Sequence, residues 1–153
     1  MPGLISKKIS FIGLLVIGTL VLAFVLLSRA TPTPPDGSRT IWFKDTPITI
    51  EVVNTEADRE RGLGGRTSLP PNHGMFFVFN HDDRHSFWMK DMRFAIDILW
   101  LDQNLVVVDI KRDATPESYP ASFTSGAPAR YVLELPAGFS RDYGIAVGDR
   151  LHF

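Results

Sequence analysis

The chain has 153 residues, with 16 Lys and Arg against 17 Asp and Glu, and it contains no cysteine. Its length allows one domain or at most two. The formal charge of −1 lacks the basic excess that a protein coating nucleic acid needs, so no nucleic-acid partner is predicted. The absence of cysteine excludes disulfides, thiolate metal sites, cysteine nucleophiles and a lipidated N-terminal cysteine.

The first element along the chain is an apolar stretch of membrane-spanning length. Residues 9–27 read ISFIGLLVIGTLVLAFVLL and carry no charge. A helix over these residues would be about 28 Å long, close to the thickness of the hydrocarbon core of a bilayer. Two lysines precede the stretch and Arg29 follows it, so its amino-terminal side is the more positive one. The pattern predicts a cytoplasmic tail at 1–8, a transmembrane signal anchor at 9–28, and a chain that continues outside the cytoplasm.

A cleaved signal peptide is the alternative interpretation of this stretch. Ser28-Arg29-Ala30 has the small-x-small pattern of a cleavage site, and cleavage near Ala30 would release a secreted protein. The apolar stretch is longer than the core of most signal peptides, which favours a single-pass protein anchored in the cytoplasmic membrane. Both interpretations place the remaining chain outside the cytoplasm.

A proline-rich linker is predicted at residues 29–39. Its sequence from residue 30 to residue 38, ATPTPPDGS, favours extended polyproline II chain and therefore a semi-rigid spacer. Residues 40–153 then supply enough chain for one compact core. They are predicted to form a single extracytoplasmic domain.

This domain is predicted to consist mostly of strands. Runs rich in β-branched and aromatic residues alternate with turn signals such as Asp45-Thr46-Pro47. The run MFFVF at 75–79 is apolar throughout, which is typical of a strand buried on both faces. Many short strands with one short helix favour a mainly β fold, either a β-sandwich or a small barrel. The predicted strands are 40–44, 48–53, 75–79, 85–90, 95–101, 105–111, 130–135 and 149–153.

The short helix is predicted at Glu56–Arg61. Asn54 or Thr55 can cap its start, and Gly62 with the glycines that follow can end it. The glycine-rich turn follows a helix, whereas a phosphate-binding loop follows a strand and precedes a helix. The turn is therefore interpreted as a helix C-cap.

Asp97 is the unusual residue of the strand at 95–101, because its neighbours are apolar and a buried, unpaired carboxylate is costly. If residues 91–94 form a hairpin loop, Trp88 lies opposite Asp97. Lys90 then lies on the diagonal, where its long side chain reaches the same carboxylate.

Glu134 is a second carboxylate in an otherwise apolar strand. One interpretation is a buried network of ion pairs and hydrogen bonds that fixes the strand register without a ligand. Another is a pocket for a small polar ligand. A third makes Asp97 and Glu134 the acid and base of a hydrolase, which requires two carboxyl groups about 5–10 Å apart beside a cleft. The candidate ligand-binding residues are Arg66, Trp88, Lys90, Asp97 and Glu134.

Histidines and tryptophans provide weaker candidates. On a helix, the i, i+4 spacing of His81 and His85 would direct both rings to one metal ion. Here the pair lies between two predicted strands, so a solvated polar loop is favoured and a metal site is the weaker alternative. His73 is predicted to be a loop residue rather than a catalytic base, and no cofactor is predicted. Three tryptophans could stack on a sugar ring, although aromatic strand residues more often belong to the core. They are Trp42, Trp88 and Trp100.

An ordered set of short motifs extends over nearly all of residues 48–150. The motifs are Arg61-Gly62-Leu63, Arg66, Leu69-Pro70, GMFFVF at 74–79, SFWMK at 86–90, Ile96-Asp97-Ile98 with Asp102, Tyr131-Val132-Leu133-Glu134 with Gly138, and Gly144-Ile145 with Gly148-Asp149. This set resembles the domain of unknown function 192 (DUF-192) family. The resemblance implies a compact, mostly β, jelly-roll-like domain that is often exported behind a signal or anchor, and it implies no activity. The chain departs from the family pattern at Asp91-Met92, at Ala95 and in the cysteine-free loop 114–128.

The predicted function is that of a non-enzymatic ligand-binding or envelope-associated module. A membrane anchor is combined with polar side chains on apolar strands, and the sequence has no Gly-x-Ser-x-Gly motif or other recognisable catalytic set. The predicted partners are the membrane, through residues 9–28, and a small polar or saccharide ligand. The alternative is a hydrolase that uses Asp97 and Glu134 on an envelope polymer.

Overall fold

The computed structural model describes residues 38–153, and every structural statement below concerns this part of the chain. The predicted cytoplasmic tail, the transmembrane anchor and all but the end of the linker lie outside the described residues. Within residues 38–153, no helix is long and apolar enough to span a bilayer.

Nine strands, two short α-helices and one 3-10 helix at Pro116–Ser118 make up the domain. The strands are β1 (Ser38–Phe43), β2 (Thr46–Val53), β3 (His73–Asp83), β4 (Ser86–Trp88), β5 (Ile96–Leu101), β6 (Val107–Ala114), β7 (Ser122–Thr124), β8 (Ala129–Pro136) and β9 (Leu151–His152). The α-helices are α1 (Glu56–Arg61) and α2 (Phe139–Asp142). The predicted mainly β fold is confirmed.

Seven of these strands form one sheet in the order β6-β5-β8-β3-β2-β1-β9, and β4 pairs separately with β7. Neighbours in the large sheet are antiparallel except for the parallel pair β2–β3. The sheet curls, because Val106 beside one edge strand forms a bridge with Arg150 beside the other. A single curled sheet is closer to the small-barrel alternative than to a sandwich or jelly roll, which needs two packed sheets.

Apolar side chains cover both faces of the curled sheet. The inner cluster joins strands from both edges of the sheet, whereas the outer cluster lies on the opposite face, beneath α1 and the β4–β7 pair. The inner cluster comprises Ile41, Phe43, Ile48, Ile50, Phe76, Leu99, Leu101, Val107, Leu133, Leu135, Phe139, Ile145 and Leu151. The outer cluster comprises Leu63, Met75, Phe77, Met89, Ile96, Ile98, Trp100, Ala114, Ala129 and Val132. Alternation along β3, β5 and β8 assigns successive residues to the two clusters.

Helix α1 has the predicted bounds and the predicted caps. The Thr55 hydroxyl accepts a hydrogen bond from the Asp58 backbone N–H at 3.2 Å. At the other end, Gly62 adopts a positive φ of 50° and donates its backbone N–H to the Asp58 carbonyl. Both signals are local in the sequence, which is why the prediction succeeds here.

Most predicted strand bounds differ from the structure by a few residues, and two differences are larger. Strand β3 continues past Phe79 to Asp83, so the polar residues after Phe79 belong to a strand instead of a turn. The predicted loop 114–128 contains β7, which pairs with β4. Phe123 at the centre of β7 packs on the outer cluster, so burial of this side chain favours strand structure in a segment rich in turn residues.

Candidate functional site

A cavity of about 430 Å³ lies over the outer face of the sheet. It is bounded by α1 and its glycine turn, by β3 and β4, and by one residue of β8. Its lining combines aromatic side chains, an unusual buried carboxyl group and a charged rim. The lining residues are Glu56, Arg59, Glu60, Arg61, Gly62, Leu63, Gly64, Phe77, Phe79, His85, Ser86, Phe87, Trp88, Lys90, Met92 and Glu134.

Glu134 brings the buried carboxyl group to this cavity. In the register of the sheet it lies between Met75 of β3 and Ile98 of β5, both members of the outer cluster. Its side chain is only 5% exposed, and its Oε2 atom has no hydrogen-bond partner. Burial among apolar side chains raises the pKa of Glu134 to about 8, against a smaller lowering effect of the Arg66 charge. At neutral pH the folded protein therefore holds Glu134 mainly in the protonated form.

The positive charge of Arg66 acts on Glu134, yet its guanidinium is bound to another carboxylate. Its guanidinium donates two hydrogen bonds to Glu51, one of them 2.8 Å long from Nη2 to Oε2. These hydrogen bonds lower the pKa of Glu51 and raise the pKa of Arg66. Because Glu51 lies opposite Met75, which in turn lies opposite Glu134, the two carboxyl groups share one face of the sheet. Arg66 pairs with one of them and leaves the other unpaired.

His85 is the second unpaired polar group of the cavity. Its ring stacks on Phe79 with 3.5 Å between ring centroids, and its Nε2 atom is buried without a hydrogen-bond partner. Burial lowers the pKa of His85, against raising effects of hydrogen bonds with the His81 and Ala129 backbone and of the Asp83 charge. From the sequence, His85 is predicted to lie in a solvated polar loop, with a metal site as the weaker alternative. Its place in the cavity depends on the turn from β3 into β4, which no local signal reveals.

Trp88 and Lys90 line the same cavity. Trp88 is 49% exposed, in contrast to Trp100, which is buried in the outer cluster. Lys90 forms no salt bridge with any residue from 38 to 153. The structure thus brings Trp88, Lys90 and Glu134 to one cavity with Arg66 beside it. Their role in ligand binding stays a prediction.

Asp97 lies on the other face of the sheet. Its strand neighbour Leu135 belongs to the inner cluster, and its carboxylate is fully buried. The carboxylate accepts hydrogen bonds from the backbone N–H groups of Asp113 at 2.9 Å, Gly138 at 3.2 Å and Ser140 at 2.9 Å. It also accepts one from the Ser140 hydroxyl at 2.7 Å. The contacts of Asp97 are those of a buried hydrogen-bond network, which was the first of the three interpretations.

The predicted hairpin between Trp88 and Asp97 is wrong. Strand β4 pairs with β7, and β5 lies between β6 and β8. Lys90 therefore does not reach Asp97 across a hairpin. Local alternation identified Asp97 as unusual, but its partners are Asp113 on β6 and Gly138 and Ser140 at the start of α2, all distant along the chain.

The weaker candidate sites have ordinary surroundings. The rings of His81 and His85 are 6.2 Å apart between centroids. Within the described part of the chain, no three or more metal-ligating side chains come together. His73 begins β3, and its Nδ1 lies 3.0 Å from the Pro71 carbonyl oxygen. The glycine turn after α1 packs against the chain at Lys90, where Gly65 donates its N–H to the Asp91 carbonyl.

Comparison with known proteins identifies sequence relatives of the domain. The profile of DUF192, described as an uncharacterised ACR family, matches residues 39–153. A UPF0127 protein of Thermococcus gammatolerans is 33% identical over 105 residues, covering 65% of this chain and 63% of the relative. A UPF0127 protein of Pyrococcus furiosus is 30% identical over 115 residues, covering 72% of this chain and 92% of the relative. The chain thus spans less than two thirds of the first relative's length.

Two solved structures are similar to the domain. A crystal structure from Sinorhizobium meliloti, of a protein described as a candidate transcription regulator, aligns with a TM-score of 0.70 and 32% identity. The alignment covers 75% of this chain and 92% of that one. A protein of unknown function from Novosphingobium aromaticivorans aligns with a TM-score of 0.69 and 27% identity, covering 82% and 94% of the two chains.

Proposed function

The chain belongs to the DUF192 family, and we propose that its domain is a non-enzymatic module that binds a small saccharide in the cavity over Glu134. The observation that carries this proposal is the Oε2 atom of Glu134, which is buried without a partner beside that cavity. Trp88, Lys90 and Glu134 are the proposed ligand contacts, and Arg66 adjusts the charge of the site. Asp97 has a structural role.

A buried polar group without a hydrogen-bond partner lowers the stability of the folded protein. Burying a carboxyl group without a hydrogen bond costs about 1–3 kcal/mol by mutational measures. An apolar side chain of similar size at position 134 would extend the outer cluster at no such cost. Because native proteins satisfy most buried polar groups, an exception that lines a cavity supports binding of an external hydrogen-bonding ligand.

A neutral ligand suits the charges around Glu134 better than an ion does. At neutral pH Glu134 is mainly protonated, and the Arg66 charge beside it is balanced by Glu51. When Glu134 loses its proton, its carboxylate would repel an anion. A hydroxyl group both donates and accepts hydrogen bonds, so it pairs with the protonated and the ionised carboxyl group alike. The chemistry therefore favours a ligand rich in hydroxyl groups.

The aromatic part of the cavity supports a ligand with flat apolar faces. Trp88 is about half exposed, and Phe87 beside it packs edge-on against Phe77 at 4.9 Å between ring centroids. Large aromatic side chains provide flat contact area that is apolar on its face. A sugar ring combines an apolar face with hydroxyl groups at its edge. This combination matches a lining that contains both Trp88 and Glu134.

A membrane anchor remains part of the proposal. Residues 9–28 would hold the domain outside the cytoplasm, where free saccharides and polymer fragments of the envelope are accessible. The uncharged apolar stretch and the positive residues before it support this placement. A secreted domain, released near Ala30, would bind the same class of ligand.

The hydrolase alternative has no support from the positions of its carboxyl groups. Asp97 faces the inner cluster and Glu134 faces the cavity, on opposite sides of the sheet. Two carboxyl groups in this arrangement cannot flank one scissile bond.

Titration with saccharides tests the proposal. The full-length chain, in a detergent without a sugar headgroup, is titrated with mono-, di- and trisaccharides of glucose, N-acetylglucosamine and mannose, followed by calorimetry and tryptophan fluorescence. We expect saturable binding by at least one series, and Trp88→Ala should weaken it about tenfold. Trp42→Ala is the matched control, because Trp42 is 41% exposed and does not line the cavity.

A second variant separates binding from folding. Glu134→Met keeps the volume of the side chain but removes its hydrogen-bonding groups, so it should abolish binding without lowering the melting temperature. The proposal fails if no saccharide in any series binds, or if Glu134→Met binds as tightly as the wild type.

A further inference from the structure

We infer that four exposed hydrophobic side chains, at the edge of the sheet formed by β1 and β9, make up a surface that lies on the lipid bilayer. This β1 edge patch comprises Trp42, Tyr143, Val147 and Phe153. The inference rests on the membrane anchor that is part of the proposed function. It goes beyond that proposal, because it assigns to the domain a surface that contacts lipid. None of the four residues lines the cavity over Glu134.

The patch contains most of the large hydrophobic side chains on the surface of the domain. Six such side chains are exposed within residues 38–153, and four of them belong to the patch. The other two are Trp88 and Tyr119. Single exposed residues of this kind are ordinary, whereas several at one place indicate contact with another molecule or with a membrane.

Strand pairing places Phe153 beside Trp42. In the β1–β9 ladder Trp42 lies opposite His152, and Phe153 is the next residue. Phe153 packs edge-on against Phe76, with 6.0 Å between ring centroids, and most of its surface is exposed. Strand β9 is two residues long and ends the large sheet on this side, so both side chains lie at the edge of the sheet.

Contacts of Lys44 bring the loop after α2 to the same edge. Lys44 directly follows β1, and its ammonium group donates a hydrogen bond to the Gly144 carbonyl at 2.9 Å. The same group forms a salt bridge of 3.2 Å with Asp149. Tyr143 directly precedes Gly144, and Val147 lies between the two residues that Lys44 contacts. The loop that carries Tyr143 and Val147 is therefore held beside the end of β1.

The linker keeps this edge within reach of a bilayer. The predicted anchor ends at residue 28, and β1 begins at Ser38. The intervening proline-rich chain would span about 31 Å, and Trp42 is about 13 Å further along the strand. Such tethering raises the effective concentration of lipid at the patch, so a contact made by a few side chains is sufficient.

A lipid surface suits the patch better than a second copy of the domain does. Stable contacts between free proteins involve about 20–30 residues on each side, far more than four. Tryptophan and tyrosine are enriched where a bilayer meets water, because their rings are apolar and carry one polar group. Arg39 and Arg150 are exposed on β1 and beside β9, have no salt bridge within residues 38–153 and would attract anionic headgroups. The exposed Asp45 offsets part of this attraction, so the hydrophobic contacts contribute most.

Quenching of tryptophan fluorescence by brominated lipid tests the inference. Residues 1–37 contain no tryptophan, so the signal comes from residues 38–153 alone. The full-length chain is placed in vesicles of phosphatidylcholine and phosphatidylglycerol, with bromine near the headgroup end of the acyl chains. We expect bromine to quench the wild type and Trp88→Phe, whereas Trp42→Phe should lose most of the quenching. Trp88→Phe is the matched control, because Trp88 is exposed but lies outside the patch.

A second pair of variants tests the hydrophobic contact itself. Val147→Asp adds a charge to an exposed position of the patch and should reduce the quenching at least about twofold, since binding at the interface depends on buried apolar area. Ala121→Asp adds the same charge at an exposed position outside the patch and should leave the quenching unchanged. Circular dichroism checks that both variants are folded.

The outcomes separate this inference from the anchor on which it rests. If the chain stays with the vesicles after an alkaline wash but bromine does not quench Trp42, or quenches Trp88 equally, the inference is wrong and the proposed anchor survives. Shielding of Trp42 from a water-soluble quencher, without quenching by bromine, would indicate a second copy on the patch and would also overturn it. If the chain does not stay with the vesicles, the anchor and the inference both fail.

Discussion

Asp97 and Glu134 lie on adjacent strands only one register position apart, yet their carboxyl groups occupy opposite faces of the sheet. Asp97 pairs with Leu135, and Ile98 pairs with Glu134. The carboxylate of Asp97 is fully buried and accepts four hydrogen bonds, whereas Glu134 Oε2 accepts none. Two acidic residues in neighbouring positions thus have different hydrogen-bonding surroundings.

Asp97→Ala should lower the free energy of unfolding by at least about 3 kcal/mol. The substitution leaves the backbone N–H groups of Asp113, Gly138 and Ser140 without their acceptor in a buried site. Urea unfolding of the two proteins measures the difference. Asp45→Ala is the control, because Asp45 is exposed. Equal unfolding midpoints for wild type and Asp97→Ala would contradict the structural role of Asp97.

The stability of the protein should contain a contribution from Glu134 that falls as the pH rises. Burial raises the pKa of Glu134 from 4.5 to about 8 in the folded state. Below pH 4.5 Glu134 is protonated in both the folded and the unfolded state, so its ionisation does not change the free energy of unfolding there. Between these values the folded state binds the proton more tightly, so stability decreases, by up to about 5 kcal/mol once the pH exceeds 8.

Glu134→Gln isolates this contribution. The variant has no carboxyl group to titrate at position 134, so the difference in unfolding free energy between variant and wild type should increase with pH in favour of the variant. Other titrating groups cancel in this difference. Urea unfolding at several pH values measures it. Parallel profiles for the two proteins would show that the Glu134 pKa is not raised by folding.

Local signals in the sequence predicted the parts of the fold that depend on near neighbours. The Thr55 cap and the Gly62 terminus fixed the bounds of α1, and alternation identified both Asp97 and Glu134 as unusual. Pairings between distant strands could not be predicted in this way. The hairpin that placed Trp88 against Asp97 was the nearest pairing along the chain, but burial of Phe123 pairs β7 with β4 instead.

The candidate site was predicted only in part, because it too depends on pairings between distant strands. Three of its residues, Trp88, Lys90 and Glu134, do reach one cavity, although by a route that the predicted hairpin did not contain. His85 could not have been assigned to this cavity without knowledge of the β3–β4 turn. The sequence favoured a solvated polar loop at this position, and its spacing from His81 offered metal binding only as the weaker alternative.

Gly64→Ala should destabilise the protein by about 1–3 kcal/mol, since added volume in a close contact forces the backbone to shift. A Cβ atom at this position would lie 2.9 Å from the Arg61 carbonyl oxygen and 3.5 Å from the Lys90 carbonyl oxygen. Gly126→Ala is the control, because the nearest atom to its Cβ is 3.5 Å away. Thermal unfolding compares the two variants. Similar melting temperatures would show that the turn beside the cavity accommodates the added Cβ atom without loss of stability.

Fusions to reporter enzymes should place the domain outside the cytoplasm. Alkaline phosphatase joined after Phe153 is active only when exported, so this fusion should be active in a bacterial host while a β-galactosidase fusion at the same position is not. The active fusion should remain with the membranes after an alkaline wash if residues 9–28 are an anchor. Its release into the medium would instead indicate cleavage near Ala30, and the opposite pattern of enzyme activities would contradict export.

The carboxyl ¹³C resonance of Glu134, followed by NMR across the pH range with and without a bound trisaccharide, tests the central claim most directly. We expect a midpoint near pH 8 in the free protein and a clear change of shift and midpoint when the trisaccharide occupies the cavity. A midpoint near 4.5, or a titration curve that no trisaccharide alters, would contradict the claim that this buried carboxyl group is the ligand's contact point.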